Sequence, residues 1–148
     1  MRYQDSGEVH KDFHLATNRT IDYIMTRYDE EFLSQLCRRT AQDVYSDIHS
    51  RLISGDSEAL LEHLAYDTER EAGQFAIERA GDTVVFHMES CPMHRQIIDR
   101  GQVVSPYMGR FLELLYGHWA NRTPFTITVE NYHGVSYDLC IRRNHAVQ

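Results

Sequence analysis

The spacing of apolar residues changes once along the chain, near Gly73. Before that glycine, apolar side chains recur every three or four residues, which is the period of an amphipathic helix. After it, two pairs of short segments alternate apolar and polar residues, which is the period of a strand with one buried face. A chain that separates its helices and strands in this way is expected to adopt an α+β fold, an antiparallel sheet packed against helices.

The first half predicts three helices. The first carries its apolar stripe over residues 13–28. The second carries its stripe over residues 33–48 and begins after Asp29, and the third carries its stripe over residues 60–68 and begins after Asp56. Both aspartates are good helix caps, because a short carboxylate accepts hydrogen bonds from the unpaired amides of a first turn.

The second half predicts a β-hairpin, a helix and a second β-hairpin. A short helix is also expected directly after the first hairpin, and the main helix is expected to begin after Ser105, whose next residue is a proline suited to a first helical turn. The strands are expected at 75–79, 83–89, 125–129 and 135–141, and the short helix at 93–100.

The length of 148 residues predicts a single domain, with residues 1–8 and 144–148 frayed at its ends. The net charge of −7 disfavours nucleic acid and anionic membranes as partners. No stretch approaches the eighteen apolar residues of a membrane span, and none near the N-terminus resembles a signal peptide. Three cysteines without a CxxC pair do not form a disulfide framework, so a reducing, cytoplasmic location is expected.

A group of reactive residue types lies where the second predicted strand ends. His87, Cys91 and His94 fall within eight residues, and Pro92 ends the strand and begins a helix. Amides at a helix N-terminus lower a thiol pKa, so Cys91 is a candidate nucleophile with His94 or His87 as its base. The alternative is a buried, inert cysteine beside two surface histidines, since cysteine is among the most buried residue types.

A second group lies on the third predicted helix. His63 and Asp67 are one turn apart, which suits an acid–base pair, a metal pair or an ordinary solvated helix face. If this helix covers a pocket, Asp67 or Glu69 would hold an ammonium or amidine nitrogen of a substrate. Cys140 lies on the last predicted strand, and its sulfur would share a pocket with Cys91 if the two strands were neighbours.

Three stretches of the chain resemble one protein family. They are the run FHLATNRTI at 13–21, the pair Cys91 and Pro92 followed by Gly101, and the run GVSYDLC at 134–140. Together they resemble the L-2-amino-thiazoline-4-carboxylic acid hydrolase-like family over nearly the whole chain. The order of elements also resembles the wider fold of vinyl-4-reductase domains, haem-based nitric oxide sensors and transport-protein-particle subunits. That fold implies a pocket between helices and sheet, and often a dimer.

The resemblance implies hydrolysis of a cyclic C=N bond in a small, sulfur-containing amino acid. Cys91 would be the nucleophile, His94 or His87 would carry the proton, and no bound cofactor or metal would be needed. The family also has a cysteine in the segment after Gly101, whereas residues 102–108 of this chain contain none. This departure puts a mechanism with two cysteines in that region in doubt.

Two other functions fit the same residues. One is a non-catalytic module that binds a small apolar or haem-like ligand in the implied pocket. The other is a metal-dependent enzyme, although the chain has no HExxH motif and no glycine-rich phosphate loop. Its ligands would come from His63, His87, Cys91 and His94.

The first two predicted helices contain more apolar side chains than one small sheet can cover. An exposed apolar patch of that kind usually marks an interface, so a homodimer is expected. The surplus residues are Tyr23, Ile24, Met25, Tyr28, Phe32, Leu33 and Leu36.

Overall fold

A computed structural model describes residues 12–145, so the predicted fraying of residues 1–8 and 146–148 lies outside the described part. Asn144, at the edge of the described part, donates its main-chain N–H to the Pro124 carbonyl at 2.8 Å. The helices are α1 Asp12–Arg27, α2 Glu30–Arg38, α3 Ser46–Ile53, α4 Glu58–Arg70, α5 Pro92–Asp99 and α6 Met108–Ala120. The strands are β1 Gln74–Ala80, β2 Thr83–Ser90, β3 Phe125–His133 and β4 Ser136–Arg143.

The four strands form one antiparallel sheet in the order β1-β2-β4-β3. Its central pair, β2 and β4, places Phe86 opposite Leu139 and Met88 opposite Tyr137, and all four side chains are buried. The side chains between these positions on β2 and β4 point away from the helices, because successive side chains of a strand face opposite sides. The helices therefore cover one face of the sheet, and the predicted α+β class is confirmed.

The second helix, predicted as one continuous element, is interrupted in the structure. A π-helical segment, Arg39–Val44, follows α2, and Tyr45 leaves the helical region at φ −101° and ψ 43° before α3 begins. Tertiary contacts favour the break, because Gln42 donates to the His118 carbonyl at 3.0 Å and the Tyr45 ring packs on Trp119. Local periodicity carries no information about such contacts with α6.

Two other predicted helix starts agree with the structure to within one residue, whereas α6 begins two residues later than expected and β3 extends four residues beyond its predicted end. Asp29 caps α2, accepting a hydrogen bond from the Phe32 amide at 3.0 Å. The short helix after the first hairpin is α5, which begins at Pro92. Ser105 precedes α6 by three residues, and its hydroxyl accepts from the Tyr107 amide in the turn before the helix.

Two hydrophobic clusters fill the interior, and α6 contributes to both. The larger cluster lies between the sheet, α4 and α6, and includes Phe86, Leu112 and Trp119. The smaller one joins α1, α2, α5 and α6, and includes Cys37 and Met108. Cys37 is fully buried, as predicted. No helix among residues 12–145 is long and apolar enough to cross a bilayer.

Candidate functional site

A cavity of about 460 Å³ opens between α1, α4, α6 and the covered face of the sheet. Its deep part is lined by buried side chains, including Leu64, Met88 and Leu112. Its mouth is lined by exposed residues of α1, among them Phe13 and Thr20. The volume and the predominance of apolar and aromatic residues are those of a small-molecule site.

Cys91 lies in the wall of this cavity at the junction of β2 and α5. Pro92 is the first residue of α5, where its missing N–H costs nothing. The Cys91 amide donates to the Val135 carbonyl at 2.7 Å, which fixes the junction to the second hairpin. The Cys91 sulfur lies 4.0 Å from the Tyr137 hydroxyl, and the Tyr137 hydroxyl in turn bonds that of Tyr116.

The thiol and the two phenols are held in their neutral forms. Burial raises the pKa of Cys91, and the amides of His94 and Met93 at the start of α5 lower it by less. Burial also raises the pKa values of Tyr116 and Tyr137 above their ordinary range. The deep end of the cavity therefore presents uncharged O–H and S–H groups rather than a thiolate.

His94 does not pair with the Cys91 thiol, in contrast to the expected arrangement. It is fully buried, and its Nε2 bonds the Tyr132 hydroxyl at 2.7 Å. Burial, with a contribution from nearby His14, lowers the pKa of His94 to about 4, so its imidazole is neutral at pH 7. Its Nδ1 is buried and has no hydrogen-bond partner among residues 12–145. A role as proton carrier for Cys91 stays a prediction.

His87 lies on the opposite side of the sheet from the cavity. Its Nδ1 is 2.7 Å from an Asp138 carboxylate oxygen, and its Nε2 is 3.0 Å from a Glu78 oxygen. Hydrogen bonds to Glu78 and Asp138 raise the pKa of His87. The strand alternation that buries Phe86 and Met88 turns His87 outward, so it does not reach the thiol.

Cys140 also faces the outer side of the sheet, although β4 does neighbour β2 as the sequence reading required. Its sulfur donates to a Glu130 carboxylate oxygen at 3.0 Å. Burial and the Glu130 carboxylate raise the pKa of Cys140 to about 11. Cys140 does not line the cavity, and the expected pocket shared with Cys91 is not present.

The predicted pair on the third helix does line the cavity. His63 Nε2 lies 3.3 Å from an Asp67 carboxylate oxygen, and both residues belong to the cavity wall. Burial lowers the pKa of His63 more than the Asp67 charge raises it. Glu69 is exposed and lies outside the wall, because its position is about half a turn away from Asp67.

A second histidine–carboxylate pair lines the cavity and was missed. His14 Nε2 lies 2.6 Å from a Glu71 carboxylate oxygen, which ties α1 to the end of α4 across the cavity wall. Glu71 is the residue directly after α4, four positions beyond Asp67, so helical spacing along the predicted third helix could have included it. Its partner on α1 is 57 residues away, and no local pattern links the two.

The four residues that the sequence suggested as metal ligands do not come together in the described part of the chain. Among residues 12–145, no group of three or more His, Cys, Asp or Glu side chains is placed to hold a metal ion. Of the four proposed ligands, His87 lies on the other side of the sheet and His94 bonds Tyr132, which leaves His63 and Cys91 in the cavity wall.

No family model, curated protein or solved structure matches the chain. The stretches that carry the family resemblance nevertheless meet at the cavity. Six of the nine residues at 13–21 line it, as do Cys91 and Pro92, and Tyr137 from the run at 134–140. Membership of that family stays a prediction.

The raised pKa of Cys91 predicts a slow thiol. Iodoacetamide should label Cys91 slowly at pH 7, and the rate should increase toward pH 10 because only the thiolate reacts. Unfolding the protein in urea should accelerate labelling at pH 7, since an exposed cysteine has a pKa of about 8.5. Peptide mass spectrometry resolves the three cysteines. Fast labelling of Cys91 at pH 6.5 in the folded protein would instead show an activated thiolate.

Proposed function

We propose that the chain binds a small, largely apolar molecule in the cavity between α1 and α4. The cavity itself carries this proposal: about 460 Å³ lined by packed apolar and aromatic side chains, with a few polar groups among them. Functional pockets of small-molecule proteins combine these features at volumes of roughly 300–1,000 Å³. The neutral Tyr116, Tyr137 and Cys91 groups at the deep end would orient a bound molecule without a charge.

A second candidate function is hydrolysis of a cyclic C=N bond with Cys91 as nucleophile. The position of its thiol in the cavity wall, next to the Tyr137 hydroxyl, favours this reaction. In the first step the sulfur bonds to the carbon, the C=N π bond breaks, and the nitrogen takes the thiol proton. Binding is preferred as the primary function because the pKa of Cys91 is raised and neither His94 nor His87 pairs with its thiol.

Blocking the mouth of the cavity should prevent binding. Thr20 is an exposed residue of α1 that lines the mouth, so Thr20→Phe would extend a ring across it. We expect this change to weaken binding of the neutral dye N-phenyl-1-naphthylamine by roughly tenfold or more, because the dye must displace the ring to enter. Dye fluorescence measures the affinity, and emission of Trp119, the single tryptophan and a cavity residue, reports occupancy.

Thr26→Phe is the matched control. Thr26 is also an exposed threonine of α1 whose hydroxyl bonds the carbonyl four residues earlier, but it lies outside the cavity wall. The Thr26→Phe variant should bind the dye with the affinity of the unmodified protein. Equal affinity of both variants and the unmodified protein would place the dye elsewhere and contradict the proposal. Cys91→Ala separates the two functions, because it removes the nucleophile that hydrolysis needs and leaves the apolar wall that holds the dye.

We further propose a homodimer, located in a reducing compartment such as the cytoplasm. Only some of the apolar side chains that were expected to be left exposed on the first two helices are exposed, because Ile24 and Leu33 are buried. Three aromatic side chains are half-exposed, namely Tyr23, Tyr28 and Phe32. The rings of Tyr28 and Phe32 stack with their centroids 4.7 Å apart. All three cysteines are free, as a reducing compartment requires.

Light scattering tests the dimer. A chain of 17.3 kDa should give about twice that mass at micromolar concentration, and Phe32→Glu should reduce the mass to that of one chain, because a charge is costly at an apolar interface. A mass of one chain for the unmodified protein would contradict the dimer and leave the cavity proposal unaffected.

A further inference from the structure

The wall of the cavity contains a hydrogen-bond donor without an acceptor. Trp119 is 3% exposed and lines the cavity, yet its indole Nε1–H has no hydrogen-bond partner among residues 12–145. Its ring packs against other rings of the wall, since the centroids of Tyr116 and Tyr45 lie 5.5 Å and 5.7 Å from it. A donor is rarely buried without an acceptor, because it loses its hydrogen bond to water. The indole therefore indicates an acceptor that residues 12–145 do not provide.

A second donor is left over at the deep end of the cavity. The Cys91 sulfur, the Tyr137 hydroxyl and the Tyr116 hydroxyl form a row with two contacts between them. All three groups are neutral and each carries one proton, so the row has three protons for two hydrogen bonds. One donor of the row is therefore also without an acceptor in the part of the chain that the structure describes.

The carboxylates of the wall already have partners. An Asp67 oxygen lies 3.3 Å from His63 Nε2, and a Glu71 oxygen lies 2.6 Å from His14 Nε2. The other ring nitrogen of His14 has no partner among residues 12–145, but it belongs to the side of the cavity that α1 forms. The unused donors belong to the side that α6 and the sheet form, so a ligand on that side has to provide an acceptor.

The wall offers little compensation to an acidic ligand. Among residues 12–145, no lysine or arginine lines the cavity. Burial lowers the pKa of His63, so its imidazole is uncharged at pH 7. A carboxylate that enters an apolar cavity loses a large hydration energy, whereas a carbonyl oxygen loses less and still has two lone pairs for the donors. An uncharged acceptor therefore suits this wall best.

We propose that the ligand of this cavity is an uncharged carbonyl compound with an apolar body, such as a ketone. Its carbonyl oxygen accepts a hydrogen bond from the indole N–H of Trp119, and its apolar body packs against Leu64, Met88 and Leu112, which line the same cavity. This inference rests on the proposed binding function and adds the chemical class of the ligand. A hydrocarbon of the same shape leaves the donor unpaired, and a carboxylate loses its hydration without a cationic partner.

Three probes with one phenylethyl body test the class: 4-phenyl-2-butanone, 2-methyl-4-phenyl-1-butene and 3-phenylpropanoate. The butene has a methylene group in place of the carbonyl oxygen, so it has the shape of the ketone without the acceptor. Displacement of N-phenyl-1-naphthylamine at pH 7.5 measures the three affinities. The propanoate should bind roughly tenfold or more weakly than the ketone, because the cavity does not compensate its charge.

Two matched variants, Trp119→Phe and Phe111→Leu, locate the hydrogen bond. Both residues are aromatic side chains of α6 that line the cavity, but Phe111 has no polar atom. The affinity of the ketone is divided by that of the butene within each protein, which cancels changes in packing and in probe hydration. This ratio should fall roughly fivefold or more in Trp119→Phe, since the carbonyl is then unpaired, and should stay unchanged in Phe111→Leu. Circular dichroism verifies that both variants are folded.

Proton NMR of the unmodified protein tests the same contact without a variant. Trp119 is the single tryptophan, so the protein has one indole N–H resonance. The ketone should move this resonance downfield, because a hydrogen bond deshields the proton. The butene has the same shape and no acceptor, so it should not produce this downfield movement.

The contrary outcomes are distinguishable. An unchanged affinity ratio in folded Trp119→Phe, or equal movement of the indole resonance by ketone and butene, would refute the hydrogen bond to Trp119. Binding of the propanoate as tightly as the ketone would refute the uncharged class. Dye binding that none of the probes displaces would refute this inference while the binding function stands. Absence of binding for the dye and for all three probes would refute both.

Discussion

The packing of α6 on the apolar face of the sheet organises the rest of the molecule. Leu112, Tyr116 and Trp119 lie on the side of α6 that covers the central strands, whereas Met108 belongs to the smaller cluster with α1, α2 and α5. A helix that contributes to two clusters transmits the position of the sheet to the outer helices, because closely packed side chains leave little freedom between them. The cavity, its aromatic wall and its buried thiol all depend on this arrangement.

The cavity exists because α1 and α4 are anchored separately. Asn18, a buried side chain of α1, donates to the Val103 carbonyl at 2.9 Å and accepts from the Ser105 amide at 2.8 Å, which holds α1 to the segment before α6. The apolar side of α4 instead packs in the main cluster through Leu60 and Leu64. The two helices thus flank a space that neither fills, and the His14–Glu71 pair links them at one side.

Hydrophobic period predicted most helices and strands, since burial on one side imposes the 3.6- and 2-residue repeats locally. A strand end before Pro92 also predicted that Cys91 lies at a junction, where side chains can reach a cavity. Periodicity did not show which face of β2 the helices cover, so His87 and Cys140 were assigned to the same site as Cys91. Tyr116 and Trp119 were not predicted as cavity residues, because only the tertiary fold brings α6 together with Cys91.

The central claim is that the cavity between α1 and α4 binds a small, largely apolar molecule, and a crystal structure of the complex with N-phenyl-1-naphthylamine tests it most directly. The account predicts the aromatic rings of the dye inside the cavity, in contact with Leu64, Met88 and Leu112. Density for the dye at another surface, with no ligand between α1 and α4, would contradict it.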